Sequence, residues 1–328
     1  MKDISVVAPV YDELENIDNL CEQLDQVLSK QDKTYEVVLV DDGSTDGSWE
    51  KLVECSRKYK HFKIIRFRRN FGQTAAMSAG FKNSVGEVII TLDADLQNDP
   101  TDIPMILEKM DEGYDVVSGW RKNRKDTFIN RRLPSMLANA LISKITGVFL
   151  HDYGCTLKAY RREIVSNIHL YGEMHRFIPA LADWVGGTVT EVVVNHRPRV
   201  AGKSKYGISR TFKVLLDLMT VKFLLRYSHH PIQMFGKIGM LFGLPGLTLL
   251  TAMILSHFCY TFMGVESLAG IVAVFKRPAW IITTFMLILF CFQFISMGLL
   301  AEIQIRTYHE SQSKPIYVIK ETVEPRED

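Results

Sequence analysis

The sequence predicts an α/β domain, an open and mostly parallel sheet covered by helices, followed by two helices that cross a membrane. Two observations predict it. Between residues 4 and 119, short apolar runs alternate with helical periodicities at the spacing of α/β units. Further on, residues 238–262 carry no charge apart from one available to His257, and residues 278–301 hold no ionisable group other than Cys291. Each span is long enough for a hydrocarbon core of about 30 Å at about 1.5 Å per residue.

Residues 4–9 read as the first strand, closed by Pro9. Leu14, Ile17, Leu20, Leu24, Val27 and Leu28 then recur at helical spacing over about four turns. Residues 35–40 are near-continuously apolar, as a strand covered on both faces should be. After the polar run 41–48, Asp46 is placed to cap a helix carrying Trp49, Leu52 and Val53. Residues 63–67 form a third strand, and 74–81 a helix of small residues. A fourth strand at 87–90 and a fifth at 114–119 flank a helix at 103–110.

In such sheets ligands lie beyond the carboxyl ends of the strands. Glu13, Asp41, Asp42, Asp93 and Asp95 all fall there. No GxGxxG follows the first strand, which counts against a dinucleotide-binding domain. The pair Asp93-x-Asp95 at a strand-to-loop junction suits a hard divalent cation, Mg²⁺ or Mn²⁺, shared with substrate phosphates. A bare Asp-x-Asp is also simply a strand ending in an acidic loop, so its neighbours must decide.

The 39 basic and 37 acidic residues nearly cancel over 328 positions, so no whole-chain field points to nucleic acid. Locally the balance differs: six basic residues against Asp126 in 121–132, and eight against Asp217 in 197–226. Five cysteines (21, 55, 155, 259 and 291) show no CxxC and no metal spacing, which argues for thiols in a reducing compartment. The start, Met1-Lys2-Asp3-Ile4, enters a strand at once, and no signal peptide is expected.

Ile208, Phe212, Leu215, Leu216, Met219 and Phe223 recur at three- and four-residue steps with basic residues on other faces. The segment 207–231 therefore reads as an amphipathic helix on the membrane surface. Basic residues before the first span and after the second place both termini on the cytoplasmic side. Gly239-x-x-x-Gly243 allows close helix packing, a homo-oligomer being one arrangement it permits. Residues 315–321 form a strand-like run that suits a sheet edge, in its own domain or a neighbour's.

Ala8-Pro9-Val10-Tyr11-Asp12-Glu13, Val40-Asp41-Asp42-Gly43-Ser44-Thr45-Asp46 and Leu92-Asp93-Ala94-Asp95-Leu96-Gln97 carry a resemblance. Together, in this order, they resemble the GT-A domain of family 2 glycosyltransferases. More narrowly the chain is similar to the polyprenyl-phosphate glycosyltransferases, the group of dolichol-phosphate mannose synthases and bactoprenol glucosyltransferases. Gly119-Trp120-Arg121, Arg131-Arg132-x-x-Ser135, the run 151–162 and the run 199–206 extend the likeness. A Gln-x-x-Arg-Trp motif of processive synthases is absent, which favours a single transfer.

The resemblance implies a GT-A domain at 1–206, juxtamembrane helices at 207–231, two spans with a short connector at 232–305 and a cytoplasmic tail at 306–328. It implies that Pro9, Tyr11, Glu13, Asp41, Asp42, Gly72 and Asp93 hold the nucleotide sugar, while Asn70 and Phe71 are placed to close the pocket. Asp95, with Asp93 and Gln97, would hold Mg²⁺ or Mn²⁺. Arg121, Arg131, Arg132, Ser135, Arg199 and Lys205 would meet the acceptor phosphate, whose geometry suits the guanidinium fork. Asp152 matches the family's proposed base, with Asp95 and Asp93 as the other catalytic carboxylates. The expected reaction is inverting transfer of glucose from UDP-glucose to polyprenyl (undecaprenyl) phosphate at the inner membrane of a bacterium. GDP-mannose or another UDP-sugar stays open as donor, and so does a non-catalytic membrane scaffold. The implied partners are thus a nucleotide sugar, a lipid phosphate and the membrane, without nucleic acid.

Overall fold

The computed structural model describes residues 2–122, 133–168, 170, 174–198, 231–311 and 316–325. Two units emerge, Met1–Val221 with Pro315–Asp328, and Lys222–Lys314. In chain order the first unit contains β1 (Lys2–Val10), α1 (Ile17–Leu28), β2 (Tyr35–Asp41), α2 (Ser48–Lys58), β3 (Phe62–Phe67) and α3 (Gln73–Asn83). It continues through β4 (Gly86–Thr91), α4 (Ile103–Asp111), β5 (Val116–Trp120), α5 (Leu133–Thr146), β6 (Lys158–Arg161) and α6 (Arg162–Ser166). α7 (Ile178–Trp184), β7 (Val189–Val193) and, far along the chain, β8 (Ile319–Val323) complete it.

The strands form one sheet in the order β7-β5-β6-β4-β1-β2-β3-β8. β1 pairs in parallel with β2 and β4, β2 with β3, and β5 with β7. β6 runs antiparallel to β4 and β5, and β8 antiparallel to β3. Every residue of β2 is buried, as a near-continuously apolar strand covered on both faces should be; Glu36 is buried with hydrogen bonds from Ser5 Oγ and Val85 N–H. The apolar stripes of α1, α2 and α4 (Leu20, Leu24, Leu52, Ile106, Met110) close one face over Val6, Val37 and Leu39. Successive strands run from β1 outward to β3, and β4 then returns to the other side of β1. That reversal makes the β1/β4 boundary a topological switch point. Pairing of β1 with β4 ends at Val7–Thr91, whereas pairing with β2 continues to Val10–Asp41. Pro9, lacking an N–H, thus lies where β4 has already diverged and no ladder bond is lost.

Several boundaries differ from expectation. α1 begins at Ile17, and Leu14 sits exposed in the preceding turn, where its N–H is held by Asp46. Gly47, at φ 96°, occupies the N-cap of α2 in place of Asp46. Asp46 instead accepts from the N–H and hydroxyl of Ser48 and braces the helix from one residue earlier. The segment expected as an amphipathic helix at 207–231 lies outside the described residues up to 230.

In the second unit, Pro231–Phe262 and Pro278–Ser311 are long helices, with a short helix, Ala269–Phe275, in the connector. Gln233–Phe262 and Pro278–Ala301 are long and apolar enough to cross a membrane, and only 11% of the most apolar window of each is buried. A core helix of a soluble protein would be covered on most sides. The two helices pack through small residues: a Cβ on Gly243 would stand 2.6 Å from Cys291 Sγ, and one on Gly246 3.0 Å from Leu287 Cβ.

Candidate active site

The polar run after β2 holds neighbouring loops together. Ser44 Oγ accepts from Asp12 N–H (2.9 Å), Ser48 Oγ from Glu13 N–H (3.0 Å) and Asp46 Oδ2 from Leu14 N–H (3.1 Å). Asp12 returns the bond by accepting from Thr45 N–H at 2.8 Å and adopts φ 48° to do so. Small hydroxyl and carboxylate side chains suit such turns because they pair with backbone N–H groups. The segment Tyr11-Asp12-Glu13 is thereby fixed over the carboxyl end of β1.

Asp41 is buried, accepts from Ser44 N–H at 3.0 Å and faces Arg66 Nε at 3.5 Å. Burial moves its carboxyl above the ordinary carboxylate range. Asp42 accepts from the N–H groups of Phe71 (2.7 Å) and Gly72 (2.9 Å), one on each oxygen. Burial pushes it up to about 6 although both bonds favour the ionised form. Asp42 therefore anchors the loop that leads into α3. Gly43 makes this approach feasible: it sits at φ 75°, and a Cβ there would stand 2.5 Å from the carbonyl carbon of Arg69.

Asp93 and Asp95 follow β4 across the switch point. Asp95 is buried, accepts from Gln97 N–H at 3.1 Å, and is followed by Leu96 at φ 58°, a strained conformation for leucine. Asp93 Oδ1 accepts from Gln73 Nε2, at the start of α3, at 2.7 Å. Burial and the charge of Asp95 push the Asp93 carboxyl up to about 6; Glu13 adds to this, while the Thr156 hydroxyl and Arg121 oppose it. The structure thus brings Glu13, Asp93, Asp95 and Arg121 into one electrostatic neighbourhood.

Arg121, just past β5, forms a bidentate pair with Asp152: Nε to Oδ2 at 2.7 Å and Nη2 to Oδ1 at 3.0 Å. Gly154 N–H also donates to Asp152 Oδ1 at 3.1 Å. Asp152, expected as a base or an acceptor-orienting group, here has both oxygens engaged and orients the guanidinium. Arg131, Arg132, Arg199 and Lys205 lie outside the described residues, as does the side chain of Ser135.

Residues without an assigned role also converge here. Thr156 Oγ1 accepts from Asn98 Nδ2 (2.7 Å), and its carbonyl accepts from Thr91 Oγ1 (2.7 Å). The acidic loop is clamped from the segment after β7: Arg197 N–H donates to Gln97 O (2.9 Å), and Arg197 grips Asp99 (2.6 and 2.9 Å) and Gln23 (2.7 Å). Lys158 is buried, donates to Tyr153 O at 3.0 Å and is lowered to about 8 by burial. His175 meets Thr74 Oγ1 at 2.9 Å and is lowered to about 3 by burial, with Arg176 and Lys158 adding to it. The sequence marked Tyr153, Thr156 and Lys158 as part of the run 151–162, without giving these three a role.

Two mutually repelling carboxylates, Asp95 buried and Asp93 half-buried, with an adjacent amide, Gln97, fit a hard divalent cation. Among the described residues, no group of three or more His, Cys, Asp and Glu side chains gathers to hold a metal. A cation here would therefore complete its shell with phosphate and water oxygens, as Mg²⁺ and Mn²⁺ do beside nucleotides.

Residues 5–168 match the model of glycosyl transferase family 2. The chain belongs to that family. It is 42% identical, over 97% of its length and 92% of the relative's, to dodecaprenyl-phosphate galacturonate synthase of Rhizobium johnstonii (strain DSM 114642 / LMG 32736 / 3841). Among solved structures, glucosyl-3-phosphoglycerate synthase of Mycobacterium tuberculosis in complex with Mn²⁺, UDP and glucosyl-3-phosphoglycerate is similar. Its TM-score is 0.53 at 16% identity, covering 68% of this chain and 80% of that one. The same enzyme with Mn²⁺, UDP and phosphoglyceric acid gives 0.54 at 15% identity, over 68% and 78%. The solved structures show the shared GT-A fold, and the family match makes the protein a glycosyltransferase.

Proposed function

We propose that this protein transfers one sugar, with inversion, from a nucleotide-linked donor to polyprenyl phosphate at a membrane surface. The observation that carries the reading is Asp93 and Asp95 at the switch point with Arg121 in their electrostatic neighbourhood. An acidic pair for a diphosphate-bound cation stands beside a guanidinium for a second phosphate. Near-complete alignment with a synthase named for a polyprenyl phosphate supports the lipid acceptor.

Tyr11 and Pro9, with Glu13, Asp41 and the Asp42-anchored Gly72, line the donor nucleotide's side. Asp95, Asp93 and Gln97 would hold Mg²⁺ or Mn²⁺, which stabilises charge on the departing nucleoside diphosphate when bound. Arg121, kept in place by Asp152, receives the acceptor phosphate, with Arg131, Arg132, Ser135, Arg199 and Lys205 as its partners in that task. The acceptor monoester is largely ionised near neutrality, its second pKa being about 6, so positioning matters more than a strong base.

A uronic acid from a UDP-linked donor replaces glucose as first choice, because the full-length relative is named for galacturonate. The test incubates purified protein and undecaprenyl phosphate with labelled UDP-galacturonate, UDP-glucose and GDP-mannose, each with Mg²⁺ or Mn²⁺. Label in the lipid phase from the first donor alone is the expected result. Label from UDP-glucose or GDP-mannose alone reassigns the sugar, and none from any donor overturns the proposed transfer to undecaprenyl phosphate.

A further inference from the structure

We propose that the segment 316–323 sets the geometry of the donor-nucleotide loop, with Tyr317 as a positioning residue. β8 pairs with the last four residues of β3, Ile64–Val323 through Phe67–Ile319, and a register shift falls between Arg66 and Phe67. Such a shift re-aims the side chains beyond it. Just past the strand, Arg68 N–H donates to Val318 O at 3.1 Å. Buried Tyr317 stacks on Phe67 with ring centres 5.1 Å apart and planes 15° apart, and Phe67 meets Phe71 edge-on at 5.7 Å. Phe71 is the residue whose N–H Asp42 holds, and Gly72 follows it. Arg66, opposite Glu321 in the ladder, is also the cation facing Asp41. Lys63 and Glu324 close the far end with an ion pair of 3.0 Å.

The chain 66–72 is thus held from two sides, by Asp41 and Asp42 on one and by the tail on the other. Without the tail β3 is an edge strand, and its carboxyl end leads directly into loop 68–72. The inference rests on the reading that this loop borders the donor nucleotide.

The experiment titrates UDP with Mn²⁺ into full-length protein, Tyr317→Ala, Tyr317→Phe and a truncation after Ser313, and measures KM for both substrates. Tyr317→Ala and the truncation are expected to weaken UDP binding and raise donor KM roughly tenfold, the size of one aromatic contact. Tyr317→Phe keeps the stack and the wild-type values, and KM for the lipid stays unchanged throughout. If the truncation does not fold, Tyr317→Ala carries the test. UDP binding by Tyr317→Ala equal to wild type overturns the inference alone, and so does an equal rise in both KM values, which marks general loosening. Wild-type protein that binds neither UDP nor GDP with Mn²⁺ overturns the donor-site reading and this inference with it.

Discussion

Arg121 and Asp152 form a two-point ion pair at 2.7 and 3.0 Å, with side chains only 12% and 6% exposed. An aspartate with both oxygens engaged this way braces the guanidinium. Asp152→Asn is expected to lower turnover about 10²-fold through misplacement of Arg121 and stability by about 3 kcal/mol. The pH–rate profile should keep its shape. Loss of one limb of that profile in the variant would make Asp152 the base after all.

Asp95→Ala is expected to reduce transfer about 10³-fold, the scale of losing a central electrostatic stabiliser. The melting temperature should stay near wild type, because relief of the repulsion between Asp93 and Asp95 offsets loss of the turn bond from Gln97 N–H. Label in the lipid phase reports the activity. Near-normal turnover in added Mg²⁺ or Mn²⁺ removes Asp95 from the site.

Asp42, raised by burial to about 6 from 3.8, holds its proton more tightly when folded than when unfolded. The stability it confers is present below about pH 4 and is lost as pH rises through about 6, a change of about 3 kcal/mol. Asp42→Asn lacks this dependence. Between pH 4 and 7, in metal-free buffer, wild type should lose more stability than the variant. Parallel denaturation curves at both pH values would contradict this.

Gly43→Ala places a methyl 2.5 Å from Arg69 C and 2.8 Å from Asn70 N at a backbone angle few side chains adopt. A loss of about 2 kcal/mol or more is expected, with weaker UDP binding because loop 70–72 shifts. Wild-type melting and UDP affinity together would show the loop tolerates the change.

The central strands were legible because apolar runs bounded by turn residues have few other uses in so short a space. β6 and β7 were not: Lys-Ala-Tyr-Arg is too short and too polar to announce a strand, and antiparallel insertion between β4 and β5 depends on partners distant in sequence. Asp93 and Asp95 stood out by type and position. The Arg121–Asp152 pair, the Arg197–Asp99 clamp and the Gln73–Asp93 bond did not, since each joins segments that only the folded sheet brings together. The Asp41–Ser48 run announced a site, yet much of it turned out to bond neighbouring loops, because the same short polar groups serve turns and ligands alike.

β8 comes after both long apolar helices in the chain. While a ribosome is still making those helices, the outer side of β3 has no neighbour, and its bare peptide groups form a template for any passing strand. Maturation must therefore proceed in two stages: most of the sheet can assemble early, but its last rung arrives only after the hydrophobic helices have been translated. Any delay in translating them prolongs the interval in which nascent copies can pair wrongly.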